Sequence, residues 1–359
     1  VKKSIENGMD IIRIFDALND IRNIEVAVDE TLKNGAHASG CICYTTSPIH
    51  NLESYVKLAK DMEGMGVGSI CIKDMAGIMG PQEAYDLVKA LKETVKLPIV
   101  VHTHCTTGLG PVTLQKAVEA GADVVDTAIS SFSGGTSQPA TETMAYIFRQ
   151  EGYEVGLNDK VLKEINDFFK PIKAGYLEDK TLNPRVMGTE TDALVYQVPG
   201  GMLSNLVAQL TAQKSLDRLD EVLNEVPAVR KDLGYPPLVT PMSQMVGVQA
   251  TANVLAGERY KNVSKEIKAY VRGEYGKAPG EIDPALVKKI LGDEKPITCR
   301  FADTLKPGFE EGKKEIGSLA KSDEDVLSYI AFPAQAEAFF QKRAEKEKNT
   351  FSYTIKEIK

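Results

Sequence analysis

The chain has 359 residues, 43% of them hydrophobic and 26% charged, a globular composition sufficient for one large domain or two ordinary ones. A formal net charge of −7 argues against nucleic-acid binding, which needs a basic face. No apolar run reaches the roughly 18 residues of a membrane-spanning helix. Cysteine usage points to a reducing, cytoplasmic setting: Cys41, Cys43, Cys71, Cys105 and Cys299 are odd in number, and the first three lie inside apolar runs. All five read as free thiols. No signal peptide is visible, and the chain opens at Val1 inside a stretch with helical character.

Five short apolar runs recur at 10–16, 38–44, 69–74, 98–102 and 123–127, about one strand and one crossover helix apart. Near-continuous apolar strands of this kind are buried on both faces, as parallel strands are. Gly8, Gly35, Gly66 and Gly121 each stand just before a strand, where a helix ends in a left-handed residue. Helical periodicity fills 52–62, 82–95 and 112–120, and Pro48, Pro81 and Pro111 stand near helix starts. Strand–helix alternation admits a doubly wound sheet or a (β/α)8 barrel. No G-x-G-x-x-G follows any strand, which weakens the dinucleotide-binding alternative. Polar residues cluster after strand ends (Asp16, Asn19, Tyr44, Lys73, Asp74, His102, His104, Thr127), and a barrel brings every such end to one mouth.

From about residue 158 the rhythm becomes helical, with patterns over 160–169, 203–214, 216–233 and 246–256. Pro-Gly breaks fall at Pro199-Gly200-Gly201, Gly234-Tyr235-Pro236-Pro237 and Pro279-Gly280. The expected organisation is therefore a partial TIM barrel over 1–157, then a mostly helical domain and tail over 158–359. The stretch 341–348 reads as a solvated, charged helix face.

His102-Thr103-His104 carries the sharpest chemical signal, because residues i and i+2 of a strand point to one face. Two imidazoles at a strand end then face the barrel mouth together, and neutral histidine is the commonest nitrogen ligand for transition metals. His37 and His50 read as surface or structural. Lys73 ends an apolar strand, where it either reaches past the strand end or serves as a reactive amine. Carbamylation would convert it to an anionic oxygen ligand beside the histidines. Thr240 and Ser243, in Thr240-Pro241-Met242-Ser243, read locally as helix caps.

These segments resemble the carboxyltransferase domain of biotin-dependent enzymes acting on 2-oxo acids: pyruvate carboxylase, the oxaloacetate decarboxylase α subunit and the transcarboxylase 5S subunit. The resemblance is carried by 8–19 (Gly-Met-Asp-Ile-Ile-Arg-Ile-Phe-Asp-Ala-Leu-Asn), Cys71-Ile72-Lys73-Asp74-Met75-Ala76-Gly77 and His102-Thr103-His104. It continues through 121–126, Thr136-Ser137-Gln138-Pro139, Pro199-Gly200-Gly201-Met202 and Val239-Thr240-Pro241-Met242-Ser243, in family order over nearly the whole chain. Related lyases and synthases of the wider superfamily share the His-x-His but lack a lysine at the Lys73 position.

The resemblance implies a divalent metal, zinc or manganese with cobalt a further option, held by carbamylated Lys73, His102 and His104. It implies Thr240 as the hydroxyl that shuttles a proton between biotin and the pyruvate enolate, with Ser243 beside it in the biotin pocket. It implies a helical funnel over the barrel mouth and a homodimer.

No Met-Lys-Met biotin-attachment sequence occurs, so biotin is expected on a separate carrier domain or chain. Expected partners are that carrier, pyruvate or oxaloacetate, and either a biotin carboxylase or membrane decarboxylase subunits, which would leave the protein cytoplasmic or peripheral to a membrane complex. The segments 199–205 and 324–329 look closer to the decarboxylase and split-subunit branch. The family's first three strands, with an Arg-Asp motif that supplies a fourth metal ligand and an arginine for the substrate carboxylate, have no counterpart in the sequence. Only about five of eight units are expected, with exposed sheet edges and a chain poorly stable or inactive alone. Competing readings are a metal-dependent acyl-CoA lyase or aldol-type enzyme of the same superfamily, and an inactive truncated chain.

Overall fold

The computed structural model describes residues 1–191, 194 and 200–348; Pro199 and the stretch 349–359 lie outside the described residues. The described residues up to 301 hold together as one compact unit, which includes the 157/158 junction, and those from 302 to 348 form a second.

All five expected strands form: β1 (Ile11–Ile14), β2 (His37–Cys43), β3 (Ser69–Asp74), β4 (Ile99–Thr103) and β5 (Val124–Val125). They are parallel and lie in the order β1-β2-β3-β4-β5. A doubly wound sheet reverses its strand order at a switch point; this one never does, so it is an arc of a singly wound barrel. Helices α1 (Lys2–Glu6), α2 (Ile21–Lys33), α3 (Leu52–Gly64), α4 (Pro81–Thr94), α5 (Gly110–Glu119) and α6 (Thr141–Gln150) alternate with the strands. Their starts are chemically marked. Asp20 accepts from the Arg22 amide, Asn51 and Ser54 form a capping box, and Pro81 occupies the first helical position of α4. Gly8, Gly35, Gly66 and Gly121 all take positive φ at the helix-to-strand joints.

The sheet is buried on both faces. Ile42, Ile70, Ile72, Ile99 and Val101 pack outward with Leu87, Val88 and Leu91 of α4 and Leu114 of α5. Inward, Cys41, Cys71 and Val100 form a small layer of their own. Register places Cys41 opposite Cys71 and Cys71 opposite Val100; one inward row further along, Cys43, Lys73 and His102 line up likewise. The two outer strands carry exposed apolar side chains, Ile11 on β1 and Val124 on β5.

The helical region contains α7 (Asp159–Glu178), α8 (Gly200–Ala212), α9 (Leu219–Asp232), α10 (Met242–Ala256), α11 (Lys265–Arg272) and α12 (Pro284–Leu291). Leu206, Leu210, Val222, Val226, Val246 and Tyr270 lie at the centre of its core. The expected helix over 160–169 runs on to Glu178 through Pro171, and the one over 216–233 divides into a 3-10 turn (Leu216–Arg218) and α9. The one expected over 246–256 starts earlier, at Met242. In the second unit, α13 (Phe309–Ile316), α14 (Asp323–Ala331) and α15 (Pro333–Lys348) enclose Ile316, Val326, Ala336 and Phe340. The charged stretch expected at 341–348 falls on the end of α15.

All five thiols are free; Cys299 is exposed and the other four are buried. Among the described residues no helix is long and apolar enough to cross a membrane.

Candidate functional site

The end of β4 supplies the centre of the site. The His104 amide donates to the Asp74 carbonyl at 3.1 Å, which extends the β3–β4 pairing one step past the strand. His102 and His104 therefore stay on one face, with ring centroids 5.1 Å apart and planes at 65°. Their Nε2 atoms are 3.1 Å apart. The other nitrogens are held from behind. His102 Nδ1 lies 2.7 Å from Asp126 Oδ2, and His104 Nδ1 lies 2.6 Å from the Thr136 carbonyl.

These partners fix the protons. A carbonyl and a carboxylate only accept, so both Nδ1 atoms carry hydrogen. The Gln138 amide nitrogen, 3.4 Å from His102 Nε2, also faces it as a donor. With both Nδ1 atoms protonated, the two Nε2 atoms face each other, and in the neutral pair each presents a lone pair to the other. Burial, followed by the neighbouring His102, pushes the His104 pKa down to about 4, so that ring is neutral near pH 7. Facing lone pairs at this distance repel; a cation within reach of both relieves the repulsion, and a neutral imidazole with its second nitrogen tied to an acceptor is a well-made metal ligand.

Lys73 sits on β3 in the same inward row as His102. It is half-buried, and its Nζ lies 4.9 Å from the centroid of the Phe15 ring, a cation–π distance. An ammonium has no lone pair to offer a metal, so Lys73 suits a metal only once it carries an anionic oxygen. Among the described residues no three His, Cys, Asp or Glu side chains gather as a metal cluster. The nearby Cys43 thiol is pushed up to about 12, by burial first and then by Asp16, and stays protonated.

Thr240 and Ser243 stand on a different element. Thr240 is exposed in the turn entering α10, and Ser243 is buried in the first turn of that helix. Neither caps the helix as the local pattern suggested: the cap position is Pro241 and no side-chain cap bond forms. Among the described residues no hydrogen bond joins either hydroxyl to the histidine pair.

Several polar residues at strand ends turn out to be scaffolding. Asp16 accepts from the amides of Leu18 and Asp20, and Asn19 bonds both the amide and the carbonyl of Cys43. Asp74 accepts from the amides of Ile78 and Met79 and from Thr103 Oγ1. His37 bonds Ser69 and His50 bonds Ser47, the structural roles expected of them.

Sequence reasoning missed Arg13, Asp126 and Gln138. Arg13 lies inward on β1 and forms a two-pronged ion pair with Asp126, just past β5; the Nη2–Oδ1 distance is 2.9 Å, and Nη1 meets Oδ2. Burial alone would raise the Asp126 pKa, but hydrogen bonds from Arg13 and His102 hold it well below the usual carboxylate range. The signal was available: a lone arginine inside an apolar strand is as conspicuous as Lys73.

Known proteins match in two segments and over the whole fold. The HMGL-like family profile matches residues 5–169, and the conserved carboxylase domain profile matches 193–357. A pyruvate carboxylase chain from Methanocaldococcus jannaschii, one component of a multi-chain enzyme, is 54% identical over 95% of this chain and 60% of its own length. The methylmalonyl-CoA carboxyltransferase 5S subunit of Propionibacterium freudenreichii subsp. shermanii is 49% identical over 96% of this chain and 69% of its own. The solved carboxyl transferase domain of Rhizobium etli pyruvate carboxylase superposes with a TM-score of 0.86 at 29% identity, over 95% of this chain and 60% of that one. The chain thus spans about three fifths of the Methanocaldococcus relative it matches. With both halves matched by the family profiles and nearly the whole chain matched by these relatives, the chain belongs to the carboxyltransferase-domain family of the biotin-dependent carboxylases.

Proposed function

We propose that this chain carries the carboxyl-transfer step of a biotin-dependent enzyme, exchanging a carboxyl group between oxaloacetate and biotin. In one direction the C–C bond to the departing carboxyl breaks, an N–C bond to biotin forms, and the biotin N–H proton ends on the methyl carbon of pyruvate. The observation that carries the reading is the convergence of the His102 and His104 Nε2 lone pairs beside Lys73. The match of 193–357 to the conserved carboxylase domain supports carboxyl transfer over the acyl-CoA lyase reading.

His102, His104 and carbamylated Lys73 would hold a divalent metal, zinc, manganese or cobalt. When bound, it supplies Lewis-acid stabilisation of negative charge on the 2-oxo-acid oxygen. Thr240 takes the biotin proton onto its hydroxyl oxygen while passing its own to the carbon, so it never carries a charge. Ser243 would line the biotin pocket with it. Biotin arrives on a carrier domain or separate chain, and a biotin carboxylase or membrane decarboxylase subunits would complete the cycle. A cytoplasmic homodimer, free or peripheral to a membrane complex, fits these partners.

The test is oxaloacetate decarboxylation by the full-length protein with and without biotin, alongside Lys73→Ala and Thr240→Ala. Biotin-stimulated turnover that collapses in both variants is the expected result. Turnover indifferent to biotin in a folded, metal-loaded protein would overturn the proposal in favour of a lyase.

A further inference from the structure

We infer that Asp126 is a positioning residue that sets the proton on His102 and is itself held in place by Arg13 from the far edge of the sheet. This deepens the metal reading above and rests on it for its consequence, though not for its geometry. Three donors converge on one carboxylate: Arg13 Nη1, Arg13 Nη2 and His102 Nδ1. Arg13 belongs to β1 and Asp126 follows β5, so the ion pair spans the concave side of the arc between its first and last strands. The Asp126 backbone is anchored too, its amide donating to the Val101 carbonyl at 3.0 Å. The fork of the guanidinium fixes the plane of the carboxylate, which a single bond would leave free to turn. Its Oδ2 is thereby aimed at His102.

The consequence is chemical. A free imidazole can carry its proton on either nitrogen, and only the form with Nδ1 protonated leaves the Nε2 lone pair beside that of His104. A carboxylate behind a metal-ligating histidine also makes the ring a stronger donor. An amide at this position offers one acceptor oxygen to three donors, so either Arg13 or His102 loses its partner. Arg13 is the permanent cation, and His102 is the group that can respond by moving its proton.

The experiment uses the full-length protein with ring-15N-labelled histidine, wild type and Asp126→Asn, His102→Ala serving to assign the resonance. Long-range 1H–15N spectra of the metal-free protein report which nitrogen is protonated, and manganese titration followed by electron paramagnetic resonance reports affinity. In the wild type His102 is expected in the Nδ1–H form. In Asp126→Asn that form is expected to give way, and manganese affinity to fall by about 10- to 100-fold, the scale for a partner behind a metal ligand.

An Nε2–H form of His102 in the wild type overturns the inference without recourse to any variant, so a misfolded Asp126→Asn does not protect it. Unchanged tautomer and affinity in a folded Asp126→Asn overturn it as well. If the tautomer follows Asp126 while neither protein binds manganese, zinc or cobalt, the positioning role stands and the metal reading falls.

Discussion

The proposed site residues at the strand ends and in the turn before α10 are placed by different routes. At β3 and β4 the backbone ladder does the placing: Lys73 pairs with His102 in register, and His104 follows on the same face. Strand alternation makes this kind of placement local and rigid. Thr240 has no ladder; it sits exposed in a turn whose position is set by the packing of a helical core made largely of other segments. A placement fixed by strand register survives as a sequence pattern, whereas one made by a turn depends on where a second body of packing carries it.

The largest expected effect separates the two regions. His104→Ala should abolish measurable metal binding, while Thr240→Ala should leave it intact and lower turnover by about 10²–10⁴-fold, the scale of a lost proton relay. Metal titration and biotin-dependent kinetics on the same preparations check both. Metal loss in Thr240→Ala would erase the contrast.

Next come the two cores. Ile72 in the sheet and Leu210 in the helical cluster are both fully buried. Each change to Ala should cost about 2–5 kcal/mol in denaturant titration, the range for large-to-small core substitutions. Metal affinity should fall only for Ile72→Ala, because that side chain backs the β3 strand that carries Lys73.

A pH effect joins the regions. His50 sits beside Tyr55 and near the buried Arg230; burial, then that guanidinium, pushes its pKa down to about 4 from 6.5. The folded chain therefore binds fewer protons than the unfolded chain between those values. This contribution to stability is present above pH 6.5 and is lost as pH falls toward 4. His50→Gln should flatten that part of the stability–pH curve, measured by thermal unfolding; an unchanged slope would exclude His50 as its source. The smallest effect belongs to a cap. Asn51→Ala, which removes the capping box of α3, should cost about 1 kcal/mol by denaturant titration and change neither metal binding nor turnover.

Much of the barrel wall was legible because its elements announce themselves locally. Five apolar runs, four of them preceded by glycine, marked the strands, and Pro81 and Pro111 marked two helix starts. The helical region was less legible. Pro171 and Pro227 both lie inside helices, where local propensity argues for breaks; around Pro227 the burial of Val222, Leu223, Val226 and Val229 outweighs that propensity, while the helix holding Pro171 buries only Leu162. The histidine pair was readable from its i, i+2 spacing. Its supports were not: Asp126 is 24 residues from His102, the Thr136 carbonyl is 32 from His104, and Arg13 is 113 from Asp126.

The sequence by itself determined the alternation of strands and helices, the inward face shared by Lys73, His102 and His104, and the free state of the cysteines, because each follows from short-range periodicity or composition. Only the tertiary structure decided the sequential strand order, the proton placement on the two imidazoles and the ion pair that closes across the arc. Those depend on which distant groups meet, and a hydrogen bond between residues far apart in the chain has no local pattern to announce it.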